Sequence, residues 1–275
     1  MHTKELSPFP KILVDVGGYR LAAFCAGTES PTVVLDAGMG DISEVWHQIQ
    51  EAVSQFTCVC SYDRAGRGQS DPGPLPRTSQ TVVNELHTLL TRIGLPGPYV
   101  LVGHSFGGFN VRLYAHQYPD DVGGIILVDS AHPDLDLVAL LPPEASDENK
   151  RIREVRTVLR QETQETANPE GIDPVASAAL VCAIPSLGAV PLVVLTHTSE
   201  VWIEMLMTEF PGFPRELATR LEQAWQEGQR HLLLLSSQSV QMVAQHSGHY
   251  IHHEEPELVV HAIRQVVDLV RKRNR

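Results

Sequence analysis

Short apolar runs alternate with amphipathic stretches along most of the chain. Runs such as Gly-Ile-Ile-Leu-Val at residues 124–128 lack polar alternation, which is typical of strands buried on both faces of a sheet. Strand-like runs occupy residues 11–16, 20–25, 32–35, 57–62, 99–103, 123–128, 192–196 and 240–244. Helix-like stretches occupy residues 43–53, 79–93, 106–117 and 256–271. The alternation predicts an α/β domain with a mainly parallel sheet and helices on both faces.

The alternation is interrupted between the sixth and seventh predicted strands. The intervening residues contain a Pro142-Pro143 break, a charged helix-like stretch at 146–165 and a more apolar one at 174–183. The charged stretch carries a narrow apolar stripe with helical spacing, formed by Ile152, Val155 and Leu159. An excursion of this size between two strands predicts a cover over the sheet.

We therefore expect a core domain made of residues 1–130 and 191–275, and a helical lid, or cap, made of residues 131–190. The alternative is an ordinary decorated crossover between two strands. A further helical stretch follows the seventh strand and contains Trp202 and Trp225. Substrate specificity is expected to lie in this stretch and in the lid.

The charge and the N-terminal sequence narrow the classes of protein to consider. The formal net charge is −12 at pH 7, with a pI near 5.5. Such a balance repels phosphate backbones and anionic membrane surfaces, so no nucleic-acid partner is expected. No apolar run reaches the ~20 residues needed to cross a bilayer. The first ten residues lack the basic region and apolar core of a secretory signal, and a cytoplasmic protein is the expectation.

The four cysteines, Cys25, Cys58, Cys60 and Cys182, lack the spacing of a zinc site. Cys58 and Cys60 alternate along one predicted strand, so both side chains would point to the same face of the sheet. We expect buried free thiols rather than a disulfide or a metal site. Free thiols suit a reducing compartment.

The strongest chemical signal is Gly103-His104-Ser105-Phe106-Gly107-Gly108, directly after a predicted strand. A Gly-x-Ser-x-Gly sequence between a buried strand and a helix is the nucleophile elbow, a strained turn that exposes the serine hydroxyl. The flanking glycines allow neighbouring backbone to pass closely. Ser105 is therefore the predicted nucleophile, and a purely structural tight turn is the alternative.

A serine hydroxyl needs a base that accepts its proton. Among the 13 histidines, His249 is best placed, because it follows the last predicted strand and precedes the closing helix. His246, at the end of that strand, is the alternative base. We expect His104 to pack beneath the elbow, and His252 and His253 to be solvated loop residues.

These features resemble the α/β-hydrolase superfamily, in its lidded serine esterase and lactonase-like branch. The matching motifs are Leu35-Asp36-Ala37-Gly38-Met39-Gly40, Tyr62-Asp63-Arg64-Ala65-Gly66-Arg67-Gly68-Gln69-Ser70, the elbow, Leu127-Val128-Asp129-Ser130 and Gly248-His249. They cover nearly the full chain, and together in this order they are far more specific than any single motif. The resemblance implies an eight-stranded, mainly parallel sheet and a catalytic triad in the chain order Ser, acid, His.

The acid of the triad departs from the commoner pattern of that family. Most members carry it after the seventh strand, where Thr196-His197-Thr198-Ser199-Glu200 offers one carboxylate. Some members take it from the end of the sixth strand, where Asp129 directly follows an apolar run. Its side chain should emerge at the carboxyl edge of the sheet, where such folds build their sites. We expect Asp129 to be the acid, with Glu200 as the alternative.

An oxyanion hole needs two backbone N–H groups aimed at the developing negative charge. Phe106, the residue after the nucleophile, should supply one of them. The resemblance places the other in the loop after the third strand. There Ala37-Gly38-Met39 is similar to the family's His-Gly-x sequence without its histidine, and Met39 matches the donor. Asp63 and Arg64 resemble a family loop whose role is structural.

These expectations together describe hydrolysis of a carboxylic ester, or of a lactone as a cyclic ester, through an acyl-enzyme on Ser105. The substrate is a small molecule, and no metal or organic cofactor is required. Family members with dehalogenase or epoxide-hydrolase activity carry an aspartate at the nucleophile position, and Ser105 argues against both activities. The alternatives are cleavage of an activated C–C bond and a ligand-binding receptor with a slow triad.

Overall fold

The computed structural model describes residues 8–146, 148–163, 168 and 170–273, and its centre is an eight-stranded sheet. The strands are β1 Lys11–Asp15, β2 Arg20–Ala26, β3 Val33–Asp36, β4 Val59–Tyr62, β5 Tyr99–His104, β6 Val122–Val128, β7 Leu192–His197 and β8 Ser239–Ala244. Their order in the sheet is β1-β2-β4-β3-β5-β6-β7-β8. Strand β2 pairs antiparallel with β1 and β4, and the other neighbours are parallel.

The helices of the described residues cover both faces of this sheet. They are α1 His47–Ser54, α2 Ser79–Ile93, α3 Gly107–Gln117, α4 Lys150–Thr163, α5 Pro174–Cys182, α6 Ser199–Glu209, α7 Arg215–Leu232, α8 Ile251–Glu254 and α9 Pro256–Arg273. A helix long and apolar enough to cross a membrane is not found among the described residues.

Strand β6 shows why its sequence lacks polar alternation. Ile125 and Leu127 belong to the apolar cluster that α2 and α3 form on one face of the sheet. Ile126 and Val128 belong to the cluster that α1 and α9 form on the other face. Because successive side chains of a strand point to opposite faces, both sets must be apolar when both faces are covered. The predicted α/β class, with a mainly parallel eight-stranded sheet and helices on both faces, is confirmed.

The segment between β6 and β7 contains α4 and α5, close to the two predicted helical stretches. Ile152 and Val155 of α4 are buried in a third, smaller apolar cluster, together with residues of α6 and α7. Helix α5 instead contributes Val181 to the cluster of α2 and α3. Residues 147, 164 and 165 of the predicted charged stretch lie outside the described residues.

The prediction of free thiols is wrong for two of the four cysteines. Cys25 and Cys60 form a disulfide, with their Cα atoms 4.2 Å apart. They are directly opposite each other in the antiparallel pairing of β2 with β4. These two strands are neighbours in the sheet although β3 lies between them in the sequence, so the sequence alone does not indicate the pairing. Cys58 is buried and free, as expected, whereas Cys182 is free but exposed, so the expected burial is wrong for Cys182. The thiol argument for a reducing compartment therefore fails for this pair, and the cytoplasmic location stays a prediction.

Candidate active site

Ser105 lies in the sharp turn between β5 and α3. Its φ is 50°, in the left-handed region that non-glycine residues rarely adopt. The glycines after it are required by close contacts. A Cβ atom on Gly107 would lie 2.4 Å from the Asp36 carbonyl oxygen, and one on Gly108 would lie 1.8 Å from Ser130 Oγ. The predicted nucleophile therefore occupies a strained turn packed against the loops that follow β3 and β6.

His249 lies between β8 and α8, where two hydrogen bonds hold it. Its Nδ1 is 2.7 Å from Asp129 Oδ2, and its carbonyl oxygen accepts a 3.0 Å hydrogen bond from His104 Nε2. His104 is buried next to Ser105, so it connects the elbow to the backbone of His249. The alternative base, His246, is exposed in the loop just beyond β8.

The His249 side chain is 27% exposed, so its ring remains accessible to a substrate. Among the described residues, no hydrogen bond joins the Ser105 hydroxyl to His249. Such contacts are commonly loose in a free enzyme and tighten when substrate binds. His104, which precedes Ser105 in the chain, packs against His249, with ring centroids 4.6 Å apart, so the elbow and the predicted base belong to one packed region.

Asp129 directly follows β6, is fully buried and has a φ of 41°. Its Oδ2 accepts hydrogen bonds from His249 and from His197 Nδ1, the latter at 2.9 Å. Its Oδ1 accepts a 3.1 Å hydrogen bond from the indole Nε1 of Trp225. Burial alone would raise the pKa of Asp129, but the charge and hydrogen bond of His197, with the hydrogen bond of His249, hold that pKa well below its ordinary value. An ionised carboxylate is therefore fixed beside His249.

Glu200, the alternative acid, lies in a different environment. It is exposed in the first turn of α6. Strand β7 lies between β6 and β8 in the sheet, and its last residue is His197. The loop after β8 brings His249 across this strand end to Asp129. The structure therefore brings Asp129, and not Glu200, into contact with the predicted base.

The loop after β3 carries Met39, the predicted oxyanion donor, and Arg64 holds this loop. The guanidinium is buried, and its Nη1 donates to Asp36 Oδ1 and to the Ala37 carbonyl oxygen, both at 2.7 Å. Its Nη2 donates to the Gly38 carbonyl oxygen. Arg64 thus has a structural role, because it fixes the backbone of the residues that precede Met39.

Glu170, from the segment between β6 and β7, holds the same loop from its other side. Its Oε2 accepts a 2.7 Å hydrogen bond from Arg64 Nε, and its Oε1 accepts one of 2.7 Å from the Gly40 N–H. Burial would raise the pKa of Glu170, but the charge of Arg64 lowers it below its ordinary value. The predicted lid segment is thereby tied to the loop that carries Met39.

The two predicted oxyanion donors are backbone N–H groups. Phe106 is the N-cap residue of α3, where the helix dipole favours negative charge. Met39 lies in the turn after β3. Neither N–H donates to a protein acceptor within the described residues. Both are therefore available to a ligand oxygen.

Sequence reasoning missed the residues of α7 that hold the neighbours of Asp129. Glu222 Oε2 is 3.0 Å from His197 Nε2, and Gln229 Nε2 donates a 2.7 Å hydrogen bond to the Ser130 carbonyl oxygen. The signal was present in the sequence of α7. Its polar and aromatic residues recur at the spacing of one helical face, at Glu222, Trp225, Gln226 and Gln229.

The expectation of a solvated His252 is wrong. Its side chain is buried, with the ring centroid 4.6 Å from that of Trp46 and 4.4 Å from that of His104. The short helix α8 turns His252 inward, whereas His253 is exposed. Burial, with the neighbouring histidines, lowers the pKa of His252 to about 2, so the ring is neutral. No set of three or more His, Cys, Asp or Glu side chains in the described ranges is arranged to hold a metal ion.

Comparison with known proteins finds the same architecture. The family model for the alpha/beta hydrolase fold matches residues 31–161. The uncharacterised protein YqjL of Bacillus subtilis (strain 168) is 29% identical over 243 residues, which are 87% of this chain and 85% of YqjL. A thermophilic esterase from Thermogutta terrifontis has a TM-score of 0.64 at 21% identity, covering 95% of this chain and 99% of the esterase.

A haloalkane dehalogenase loop variant from Bradyrhizobium elkanii is similar to the same degree. Its TM-score is 0.67 at 13% identity, and the match covers 97% of this chain and 98% of the dehalogenase. At these identities the likeness shows a shared fold. Because an esterase and a dehalogenase share it alike, the substrate class has to be argued from the residues of the site.

Proposed function

This chain belongs to the α/β-hydrolase superfamily, and from that premise we propose that it is a serine hydrolase of carboxylic esters, lactones included. The proposal places it in the lidded esterase and lactonase-like branch. The observation that carries it is the 2.7 Å hydrogen bond between His249 Nδ1 and Asp129 Oδ2, at the sheet edge where Ser105 occupies the elbow. This arrangement supports a triad of Ser105, His249 and Asp129.

The bond to Asp129 determines which nitrogen of His249 acts as the base. An ionised carboxylate can only accept hydrogen bonds, so Nδ1 carries a proton and Nε2 is free to accept one. His249 Nε2 takes the proton of the Ser105 hydroxyl while Oγ attacks the carbonyl carbon of the ester. Asp129 then stabilises the resulting imidazolium.

The attack converts the ester carbonyl oxygen into an oxyanion. The N–H groups of Phe106 and Met39 donate to this oxygen, and Arg64 keeps the loop of Met39 in place. Collapse of the tetrahedral intermediate breaks the bond to the alcohol, and His249 returns its proton to the leaving alkoxide. Water then adds to the acyl-enzyme, gives a proton to His249 and releases the acid, while Ser105 regains its proton.

The residue at the elbow supports ester chemistry over the other activities found on this fold. The resemblance assigns an aspartate to that position in dehalogenases and epoxide hydrolases, and this chain has Ser105. The acyl-serine formed from an ester is itself an ester, which the same base and water can hydrolyse. A serine triad therefore suits esters and lactones.

We further propose that residues 131–190 act as a lid over the site. Helix α4 buries its apolar stripe against α6 and α7, and α7 carries Trp225, which contacts Asp129. Glu170 of the same segment ties it to the loop of Met39. Substrate would then be bound between this segment and the sheet edge, and the residues of the segment would select substrates by shape.

A fluorophosphonate reagent tests the proposal directly. Mass spectrometry should find the label on Ser105 of the wild-type protein, and Ser105→Ala should lose both the label and about 10⁶-fold in kcat on p-nitrophenyl esters. Ser237→Ala removes an exposed serine before β8 and serves as the matched control, with unchanged labelling.

The pattern of turnover then separates the alternatives. Multiple turnover of simple esters and lactones supports the proposal. Turnover of vinylogous diketones without esters would indicate a C–C hydrolase instead. A label on Ser105 without multiple turnover would indicate a receptor, and a label on another residue would contradict the triad.

A further inference from the structure

His197 shares the carboxylate of Asp129 with the proposed catalytic base. Its Nδ1 is 2.9 Å from Asp129 Oδ2, the same oxygen that is 2.7 Å from His249 Nδ1. The side chains of His197 and Asp129 are 1% and 0% exposed. Two histidines therefore donate to one oxygen of a buried carboxylate, and His197 is the one that is itself buried.

The second ring nitrogen of His197 faces another buried carboxylate. Nε2 is 3.0 Å from Glu222 Oε2, and the Glu222 side chain is 1% exposed. Ionised carboxylates only accept hydrogen bonds, so each of these contacts requires an N–H on the ring. With a proton on both nitrogens, His197 is an imidazolium.

Charge balance supports the same protonation state. Two buried carboxylates without a cation between them would repel each other and favour protonation of one. Burial alone would lower the pKa of His197, but the charges and hydrogen bonds of Asp129 and Glu222 outweigh it and raise this pKa to about 10. The titratable groups in this network are Asp129 after β6, Glu222 on α7 and, across Asp129, His249.

Helix α7 leaves this network little freedom to rearrange. Gln226 Nε2 donates to Glu222 Oε1 at 2.8 Å and to the His197 carbonyl oxygen at 2.9 Å. Trp225 donates to the other oxygen of Asp129. Both carboxylates and both ring nitrogens of His197 thus have partners, which is the condition for a buried polar network to hold one geometry.

We infer that His197, kept as an imidazolium by Glu222, is a positioning residue that holds Asp129 ionised and oriented toward His249. The inference rests on the proposed triad. Without the cation, Asp129 would lose one of the groups that orient its Oδ2, and burial would favour protonation of its carboxylate. A protonated Asp129 could not stabilise the imidazolium that forms on His249 during the reaction.

The protonation of His197 is measurable without any substrate. Nitrogen-15 NMR of ring-labelled protein at pH 8 should show one buried histidine with both ring nitrogens protonated, and this signal should be absent from His197→Gln. In Glu222→Gln the same histidine should lose its second proton at a lower pH. Glu227→Gln is the matched control, because Glu227 is exposed on the same helix and pairs with Arg230. The His197 signal of this variant should match the wild type, whereas the signal of His231, which pairs with Glu227, is not part of the comparison.

Kinetics supply the second measurement. His197→Gln, shown to be folded by circular dichroism, should still be labelled on Ser105. Its kcat on p-nitrophenyl esters should fall by about 10- to 100-fold, by analogy with the loss of partners that orient metal-ligating side chains. The acid limb of its kcat/KM against pH should move to higher pH, because the cation that opposes protonation of Asp129 is gone.

A merely structural role for His197 would leave the pH profile unmoved, and that result would overturn the inference. A wild-type His197 with one protonated ring nitrogen at pH 8 would also overturn it, even if His197→Gln failed to fold. Failure of the wild-type protein to be labelled or to turn over esters would instead refute the proposed function. The NMR measurement would still determine the charge of His197 in that case.

Discussion

Arg64 and Glu170 form a buried ion pair that joins two distant parts of the chain. Arg64 follows β4, and Glu170 belongs to the segment between β6 and β7. Both Glu170 oxygens accept from Arg64, at 2.7 Å each, and the side chains are 2% and 0% exposed. Both side chains also hydrogen-bond to the backbone of the loop after β3. The same ion pair therefore holds the predicted lid segment and the loop of the predicted oxyanion donor, Met39.

Glu170→Gln should weaken both stability and catalysis. Removing one charge of a buried pair leaves the other uncompensated, so the free energy of unfolding should fall by about 3 kcal/mol. The kcat on p-nitrophenyl esters should fall by about 10- to 100-fold with a smaller change in KM, because an oxyanion donor acts mainly in the transition state. Urea unfolding and steady-state kinetics measure the two effects.

Glu144→Gln is the control, since Glu144 makes an exposed ion pair with Arg160 in the same segment. It should change the free energy of unfolding by less than about 1 kcal/mol and leave kcat unaltered. Equal effects of the two substitutions would show that the link to the loop of Met39 is unimportant.

The choice of acid can be tested by comparing Asp129→Asn with Glu200→Gln at pH 7. An asparagine amide cannot hold the His249 tautomer or stabilise its imidazolium, so Asp129→Asn should lower kcat by about 10⁴-fold. Glu200 is exposed, and Glu200→Gln should leave kcat within a few-fold of wild type. Circular dichroism checks that both proteins are folded. A folded, active Asp129→Asn beside an inactive Glu200→Gln would reverse the assignment.

The charge of His197 predicts how stability depends on pH. Its pKa is raised from 6.5 to about 10, so its contribution to stability is fully present below pH 6.5 and is lost as the pH rises through about 10. The difference in free energy of unfolding between the wild type and His197→Gln should therefore decrease by up to about 1.4 kcal/mol for each unit of rising pH between 6.5 and about 10. Urea titrations at pH 6, 8 and 10 measure it.

His231→Gln provides the reference for that series, because His231 is half exposed on α7. The difference in free energy of unfolding between His231→Gln and the wild type should stay nearly constant over the same pH range. A constant difference for His197→Gln as well would mean that His197 does not change its protonation between the folded and unfolded states.

The lid can be tested by polar substitutions in α4. The double variant Ile152→Ser with Val155→Ser should undock this helix, because both side chains lie in the small cluster shared with α6 and α7. The sheet should stay folded, since its two clusters are separate from this one. The ranking of esters by acyl chain length should change. Val158→Ser, at an exposed position of the same helix, should keep the wild-type ranking, and an unchanged ranking in both would reject the lid.

Local patterns in the chain were sufficient to predict most of the framework. The apolar run of β6 must be a doubly covered strand, because both of its side-chain sets are apolar and each has a helix layer to meet. The elbow glycines identify the strained turn of Ser105, because a Cβ there would collide with backbone. The apolar run and the Gly-x-Ser-x-Gly sequence are each continuous in the chain, so a single sequence suffices to find them, although the contacts that require them come from distant residues.

Contacts between strand ends could be read only from the folded chain. Asp129 and Glu200 each follow an apolar strand, and the sequence offers both as partners of His249. The loop after β8 reaches over the end of β7 to Asp129, whose carboxylate also contacts His197, and Glu222 holds the other ring nitrogen of His197. The Cys25–Cys60 disulfide has the same origin, because it spans a pairing of β2 with β4 that skips β3. Periodicity reports which face of an element is buried, whereas the order of strands in the sheet determines which buried groups meet.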